Sequence, residues 1–247
     1  MHRCLLSDMT HSRPSRRAEH PSPPREAAEV SAHARPTRHE QKARTRQALL
    51  DAALRLMKRH SLTSLGLREI TRTVGIAPTA FYRHFPDVDS LGVALVEQCL
   101  GSLHASISAV RDGLSGSDEV IQRSIDVLAR QVHTYRDHFL FIARERHGAV
   151  DRVRKAIADQ LDLFSAELAA DLAADKLADT PAIDRWRPDD LRMLTDLIVN
   201  HMVCTAAALI DAPPDDPAAE QQVIDLAGRQ LRLILLGARQ WPDRGGR

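Results

Sequence analysis

The stretch that decides the fold is GIAPTAFYRHF, which occupies residues 75–85. It follows a short amphipathic segment whose apolar residues recur at helical spacing. Gly75 is the residue type that commonly ends a helix in a left-handed conformation, and Pro78 is tolerated in the first turn of the next helix. The pattern therefore predicts two short helices joined by a glycine turn, the second extending to Phe85.

The second of these helices has an outward face of small and polar side chains. A first helix, predicted at about residues 40–60, precedes the pair, and three short helices with such a turn are typical of a helix-turn-helix. The outward face would offer a major groove a hydroxyl, a methyl group, a guanidinium and partners for phosphate oxygens. Its members are Thr79, Ala80, Tyr82, Arg83 and His84.

Charge is segregated along the chain although the net charge of the 247 residues is only +1. Residues 41–90 contain nine Lys and Arg against four Asp and Glu, whereas residues 91–247 contain 18 against 24. A compact basic block before an acidic region is the pattern expected of a protein that binds a polyanion. Chance clustering of surface charge would produce the same counts.

Composition indicates a globular protein of one or two domains. Of its residues 43% are hydrophobic and 27% charged, and no stretch has the ~18 uninterrupted apolar residues of a membrane helix. No apolar segment precedes a cleavage site, and the three cysteines (Cys4, Cys99 and Cys204) have neither disulfide nor zinc spacing. We therefore expect a cytoplasmic protein.

Helical periodicity continues through the rest of the chain, without strand alternation, which predicts an all-α fold of about nine helices. Residues 1–39 are rich in Pro, Arg, Ser and His, so we expect a disordered arm. A three-helix DNA-binding domain would occupy residues 40–88. A regulatory domain of about six helices, for ligand binding and dimerisation, would occupy residues 89–247, with a loop at 174–190.

The last two predicted helices, at about 189–211 and 216–239, are apolar on more than one face. A surface helix needs only one apolar stripe, so a second stripe on each predicts a symmetric dimer that pairs them in a four-helix bundle. Complete burial within one chain is the alternative. The predicted interface residues are Val199, Val203, Ala206, Ile210, Leu226, Leu233 and Leu236.

The stretch from Thr45 to Leu95 closely resembles the DNA-binding domain of TetR-type transcriptional repressors, and the helical pattern extends the resemblance over about residues 40–240. The resemblance implies that Tyr82 and His84 contact phosphates. It also implies DNA contacts by six further residues: Thr45 and Arg46 at the backbone, Arg68, and Pro78, Thr79 and Ala80 at base edges. Many relatives have a lysine at the start of the fourth helix, where this chain has Pro86-Asp87-Val88-Asp89.

A narrower resemblance, to the subgroup that contains FabR and DesT, rests on residues 76–79, 81–85, 87–92 and 141–148. These regulators control unsaturated-fatty-acid synthesis. The resemblance implies that the effector is a long-chain fatty acyl-CoA.

Such an effector suits an apolar tunnel, because each buried methylene contributes about 0.8 kcal/mol. Plain core packing explains each apolar candidate equally well. Arg144 and Arg146 could contact the phosphates of coenzyme A, or else form solvated ion pairs with Glu145 or Asp151. We expect His104, His133 and His201 to be satisfied core histidines. The apolar candidates are Leu100, Leu103, Ile107, Leu128, Val132, Phe139, Phe164, Ile198 and Met202.

Three other functions compete with this interpretation: an enzyme, a zinc-sensing repressor and a TetR-type repressor of another kind of gene. The sequence lacks the zinc-protease, nucleophile-elbow, phosphate-loop and dinucleotide motifs, so we expect no enzyme and no catalytic residue. No Cys/His pair has metal-ligand spacing, so we expect no metal and no other cofactor. A TetR-type repressor of an efflux or catabolic gene, with another apolar effector, stays open, because it would differ only in what the pocket binds.

Overall fold

The structure is a computed structural model that describes residues 37–114, 116–174 and 186–241. Regular structure in these ranges is entirely helical, which confirms the predicted all-α class. The predicted arm lies outside them up to residue 36, as does most of the predicted loop at 174–190. The α-helices are α1 (Arg38–Met57), α2 (Leu67–Val74), α3 (Pro78–Phe81), α4 (Val88–Gly113), α5 (Ser117–Thr134), α6 (Arg136–Glu145), α7 (Asp151–Ala173), α8 (Pro188–Asp211) and α9 (Pro217–Arg239).

Three N-terminal helices, α1 to α3, form what we call the head, and α4 to α9 form the body. The predicted apolar face of α1 is buried, and α1 begins two residues before its predicted start, so Arg38 and His39 belong to a helix rather than to the arm. The core of the head includes Leu49, Ile70 and Phe81, each fully buried. Burying a side chain of this size contributes about 1.5–3 kcal/mol.

The turn between α2 and α3 depends on Gly75. Its φ of 78° is a left-handed conformation that a side chain disfavours, and its N–H bonds the carbonyl oxygens of Thr71 and Arg72. The N–H of Ile76 bonds Thr71 O as well, at 3.0 Å. This cap ends α2 sharply and turns the chain into α3.

Helix α3 ends at Phe81, so the prediction that it extends to Phe85 is wrong. Residues 82–84 continue as a turn, in which Phe85 N still bonds Phe81 O at 3.0 Å. Pro86 is the physical reason, because it has no N–H to bond Tyr82 O and its ring disfavours the helical conformation at the preceding residue.

Asp87 caps α4 as its position in the sequence suggests. Its Oδ1 accepts from Ser90 N at 2.6 Å, and Arg152 at the start of α7 bonds both Asp87 Oδ2 and Ser90 Oγ at 2.9 Å. The hydrogen bonds from Ser90, aided by Arg152, hold the pKa of the Asp87 carboxyl below its usual value. The position where relatives have a lysine thus joins two helices here.

In the body, α4 and α7 run side by side in the same direction away from the head. Asp87 meets Arg152 near their starts, and Arg111 Nε meets Asp171 Oδ2 at 2.7 Å near their ends. Helix α8 packs between α7 and α9, and α5 contacts α4 and α9. At the far corner the rings of Trp186 and Trp241 lie 6.4 Å apart.

Two helices of the described ranges, α4 and α8, are long and apolar enough to pass a test for membrane spans based on length and composition. Both pack against α7, and each contributes buried residues to the core. The same test is passed by core helices of globular proteins, so these two segments are weak evidence for a membrane.

Gly92 marks the closest approach of α4 to its neighbours. A Cβ at this position would lie 2.8 Å from Leu62 Cδ2 and 2.8 Å from Val153 Cγ2, and both side chains are buried. Gly101, about two and a half turns along the same helix, has open space around it. The two glycines therefore differ in what a methyl group would meet.

We expect Gly92→Ala to lower the free energy of unfolding by about 1–3 kcal/mol, because the added methyl displaces Leu62 and Val153. Gly101→Ala should instead raise it by up to about 1 kcal/mol, because alanine is the better helix former. Denaturant unfolding followed by circular dichroism measures both changes. Equal effects of the two substitutions would contradict the close packing at Gly92.

Candidate DNA-binding surface and effector cavity

The residues predicted to contact DNA from α3 and the following turn form what we call the recognition surface. Among these residues the side chain of Tyr82 is 61% exposed, whereas Ala80 and His84 are half-buried. Arg68 on α2 is exposed as well. The surface comprises Pro78, Thr79, Ala80, Tyr82, Arg83 and His84.

Two phenylalanines support the recognition surface from inside. Phe81 is fully buried and Phe85 is 2% exposed, and their ring centroids lie 5.7 Å apart. The ring of Tyr82 packs edge-on to Phe81 with the ring centroids 5.9 Å apart. The alternation of buried and exposed side chains therefore positions the polar groups outward.

Arg46 and Thr45 are half-buried on α1 and bond within the head. The Arg46 guanidinium lies 4.3 Å from the centroid of the Phe85 ring, and its Nη1 donates to His84 O at 3.3 Å. Thr45 Oγ1 donates to Gln41 O at 2.9 Å. Arg46 thus joins α1 to the end of the recognition surface, a contact between distant residues that sequence reasoning missed.

Positive charge surrounds His84. Burial, followed by Lys42, Arg46 and Arg83, lowers the pKa of its imidazole below the usual value. Its Nδ1 is buried without a hydrogen-bond partner. The imidazole is therefore mainly neutral at pH 7, and a phosphate beside it would raise its pKa again.

Three exposed arginines of the head have no acidic partner. Arg68, Arg72 and Arg83 form no ion pair with any residue that the structure describes. Unneutralised guanidinium groups on one part of the surface are what an electrostatic attraction to phosphates requires.

A cavity of about 290 Å³ lies inside the body. The structure places nine of the eleven predicted ligand residues on its wall, and both exceptions have other roles. Val132 is buried in the core, and Arg144 Nη1 donates to Met57 O at 2.9 Å, away from the cavity. The nine are Leu100, Leu103, Ile107, Leu128, Phe139, Arg146, Phe164, Ile198 and Met202.

Sequence reasoning missed several polar members of the wall, foremost Arg111 and Ser117. Both are buried, with 7% and 6% of their surface exposed. Arg146 and His147 lie at the other end, where Arg146 Nη2 is 3.4 Å from Asn200 Oδ1 and His147 is exposed.

The α8 residues predicted for a dimer interface also line the cavity, since its wall includes Val199, Val203, Ala206 and Ile210. The large apolar side chains exposed on α8 are Met193 and Leu197. The predicted interface residues of α9 are exposed as expected: Leu226, Leu233 and Leu236 are 46%, 69% and 55% open.

The three histidines expected in the core have different environments. His104 Nε2 bonds Glu167 Oε2, and His201 Nε2 lies 3.3 Å from Ala227 O. His133 is exposed, so the prediction for it is wrong.

Burial raises the pKa of the Cys99 thiol to about 12. In the described part of the chain no three His, Cys, Asp or Glu side chains cluster as metal ligands would.

Solved structures of transcriptional regulators share this fold. One from Pseudomonas aeruginosa PAO1 has a TM-score of 0.64 at 16% identity, over 83% of this chain and 95% of that one. The fatty acid degradation regulator FadR from Bacillus halodurans has 0.62 at 14%, over 78% and 95%. FadR from Bacillus subtilis, in complex with stearoyl-CoA, has 0.60 at 13%, over 77% and 98%. At these identities the likeness shows the fold alone.

Residues 49–95 match the family model of the bacterial regulatory proteins of the tetR family. This match covers the second half of α1, together with α2, the glycine turn and the recognition surface, and reaches the second turn of α4. The head is accordingly similar to the helix-turn-helix DNA-binding domain of tetR-family regulators, as the sequence predicts.

Helix α6 contacts both the cavity and the head. On one side Ile142 lines the cavity. On the other, Arg144 bonds Met57 O at the end of α1, and Glu145 Oε1 accepts from Leu62 N at 3.5 Å. If a ligand displaces α6, these contacts will therefore transmit the displacement directly to the head.

We expect Arg46→Gln to weaken operator binding about tenfold, because the turn that holds His84 loses both its stacking and its hydrogen-bond contact. Unfolding should cost about 1 kcal/mol less for this variant. Arg44→Gln removes the same charge from an exposed position on the same helix and is the matched control. Fluorescence anisotropy with DNA selected from a random pool measures affinity. An equal loss for both variants would show that Arg46 acts by charge alone.

Proposed function

We propose that this chain is a homodimeric repressor that binds a palindromic operator and controls fatty-acid genes, those of desaturation and mycolate synthesis, in response to long-chain fatty acyl-CoA. The observation that carries the proposal is an apolar cavity with Arg146 and His147 at its more open end. FadR structures of the same fold, one of them with stearoyl-CoA, support an acyl effector. The resemblance to FabR, DesT and the mycobacterial regulator MadR supports desaturase genes as targets.

The cavity suits an acyl chain energetically. Its volume of about 290 Å³ is at the lower end of the range of ligand pockets, roughly 300–1,000 Å³, and most of its wall is aliphatic. Each methylene removed from water contributes about 0.8 kcal/mol, which offsets the cost of immobilising the ligand. Arg146 makes no ion pair with the described residues, so its guanidinium is available to a phosphate of coenzyme A.

A dimer would place two recognition surfaces on one DNA duplex in the cytoplasm. The exposed leucines of α9, together with Met193 and Leu197 of α8, form an apolar face that a second copy would bury in a four-helix bundle. Major-groove half-sites on one side of the duplex are ~34–36 Å apart, so the two surfaces must keep a matching separation.

Ligand control would act through α6 and α4. Both helices contribute to the cavity wall, and both also contact the head, α6 through Arg144 and α4 through its first turns. An acyl chain that displaces them would change the separation of the two recognition surfaces and hence the affinity for the operator.

Mobility shifts with promoters of desaturase genes, with and without long-chain acyl-CoA, test this assignment. We expect specific binding to such a promoter and a change in affinity of at least tenfold on addition of the acyl-CoA. Free coenzyme A, which lacks the acyl chain, is the control and should have little effect. Binding beside a transporter gene, with no shift of any desaturase promoter, would favour the efflux or catabolic alternative.

Two substitutions test the recognition surface. Tyr82→Phe and Arg83→Ala should weaken operator binding while leaving unfolding unchanged, because both side chains are exposed. The loss of a phosphate contact by Arg83 should also reduce the slope of log affinity against log salt by about 1. Tyr135→Phe and Arg229→Ala change the same residue types on exposed parts of the body and should leave both quantities unaltered. Unchanged binding by the two head variants would rule out this surface.

A further inference from the structure

The polar side chains of the cavity wall are few and lie mainly at its ends. Five of the 28 lining residues carry a polar group, and two of them, Arg146 and His147, lie at the more open end beside α8. Arg111 and Ser117 are more than nine-tenths buried. Ser124, on the same face of α5 as Ser117, is the fifth.

Arg111 and Ser117 lie at the end of the cavity farthest from the head. Arg111 is eleven residues beyond Leu100 on α4, which corresponds to roughly 16 Å along the helix. Its partner Asp171 is near the end of α7. In the same region Val120 packs in one apolar cluster with Leu172, which brings the first turn of α5, and with it Ser117, to this end.

Two donors at this inner end have no protein partner among the described residues. Arg111 Nε donates to Asp171 Oδ2 at 2.7 Å and Nη2 to Ser108 Oγ at 3.2 Å, but Nη1 makes no hydrogen bond. The Ser117 hydroxyl makes none either. Both residues line the cavity, and neither of these two atoms is among the unpaired side-chain atoms that are fully buried, so a ligand atom or water in the cavity can accept from them.

The charges at the inner end decide which acceptor fits. The guanidinium of Arg111 is already balanced by Asp171, and Glu167 lies 3.6 Å from Nη2. A second carboxylate would be repelled by these two acids in an environment of low dielectric constant. An uncharged oxygen accepts from Nη1 and the hydroxyl without that repulsion.

We infer that the effector is an amphiphile whose apolar chain ends, at the inner end of the cavity, in an uncharged oxygen function such as a hydroxyl or keto group. Its anionic head group lies at the opposite end, beside Arg146 and His147. The inference rests on the proposed role of the cavity as an effector site. It adds a polar requirement at the far end of the chain, which a plain acyl tail does not meet.

Isothermal titration of the full-length protein with three probes tests the inference: palmitic acid, its ω-hydroxy derivative and the corresponding α,ω-dicarboxylic acid. The ω-hydroxy acid should bind about three- to tenfold more tightly than palmitic acid, because it satisfies donors that a methyl end leaves unpaired. The dicarboxylic acid should bind more weakly than the ω-hydroxy acid. Equal binding of the first two, or tightest binding by the dicarboxylic acid, overturns the inference and leaves the proposed function standing.

Variants separate this contact from a general effect on the cavity. Ser117→Ala and, independently, Arg111→Gln should reduce the preference for the ω-hydroxy acid, whereas palmitic acid should bind Ser117→Ala as it binds the original protein. Ser165→Ala is the matched control, since Ser165 is equally buried but off the cavity wall. An unchanged preference in Ser117→Ala contradicts the inference. If none of the three probes binds the original protein, the acyl effector itself is wrong, and the inference falls with it.

Discussion

Burial of the first turns of α4 is the constraint on which both parts of the molecule depend. Leu91 and Leu95 are fully buried, and Gly92 lets the helix approach Leu62 and Val153 at a distance that no side chain would permit. The same helix continues into the cavity wall at Leu100. One stiff element of 26 residues therefore belongs to the packing of the head and to the wall of the cavity at once. Interiors at crystal-like density transmit small displacements rather than absorbing them.

Local chemistry explains why the helices were predictable. Their apolar faces repeat at 3.6 residues, and Gly75, Asp87 and Pro217 mark helix ends by backbone geometry that depends only on neighbouring residues. Helix α3 ends earlier than its periodicity predicts because Pro86 disfavours a helical conformation in the residues before it. The outward small and polar residues of the recognition surface followed from the same periodicity.

The helical periodicity of the sequence does not predict contacts between residues that are far apart along the chain. A stripe of valine and alanine on α8 fits a cavity wall as well as a dimer face, and only the packing of α5 and α7 around it distinguishes the two. The stacking of Arg46 on Phe85 joins residues that are far apart in sequence. The structure places Arg111 between an apolar cavity on one side and two acids on the other. The sequence alone does not show this environment.

The two tryptophans of the chain, Trp186 and Trp241, sit together at the corner of the body beside the cluster of Val120 and Leu172. Val120 and Leu172 also line the cavity. Indole emission is consequently a local signal from that corner. This emission should change when a ligand enters or leaves the neighbouring cavity, and it should change little when the distant head binds DNA. The natural fluorescence of the protein therefore distinguishes the two binding events without any added dye.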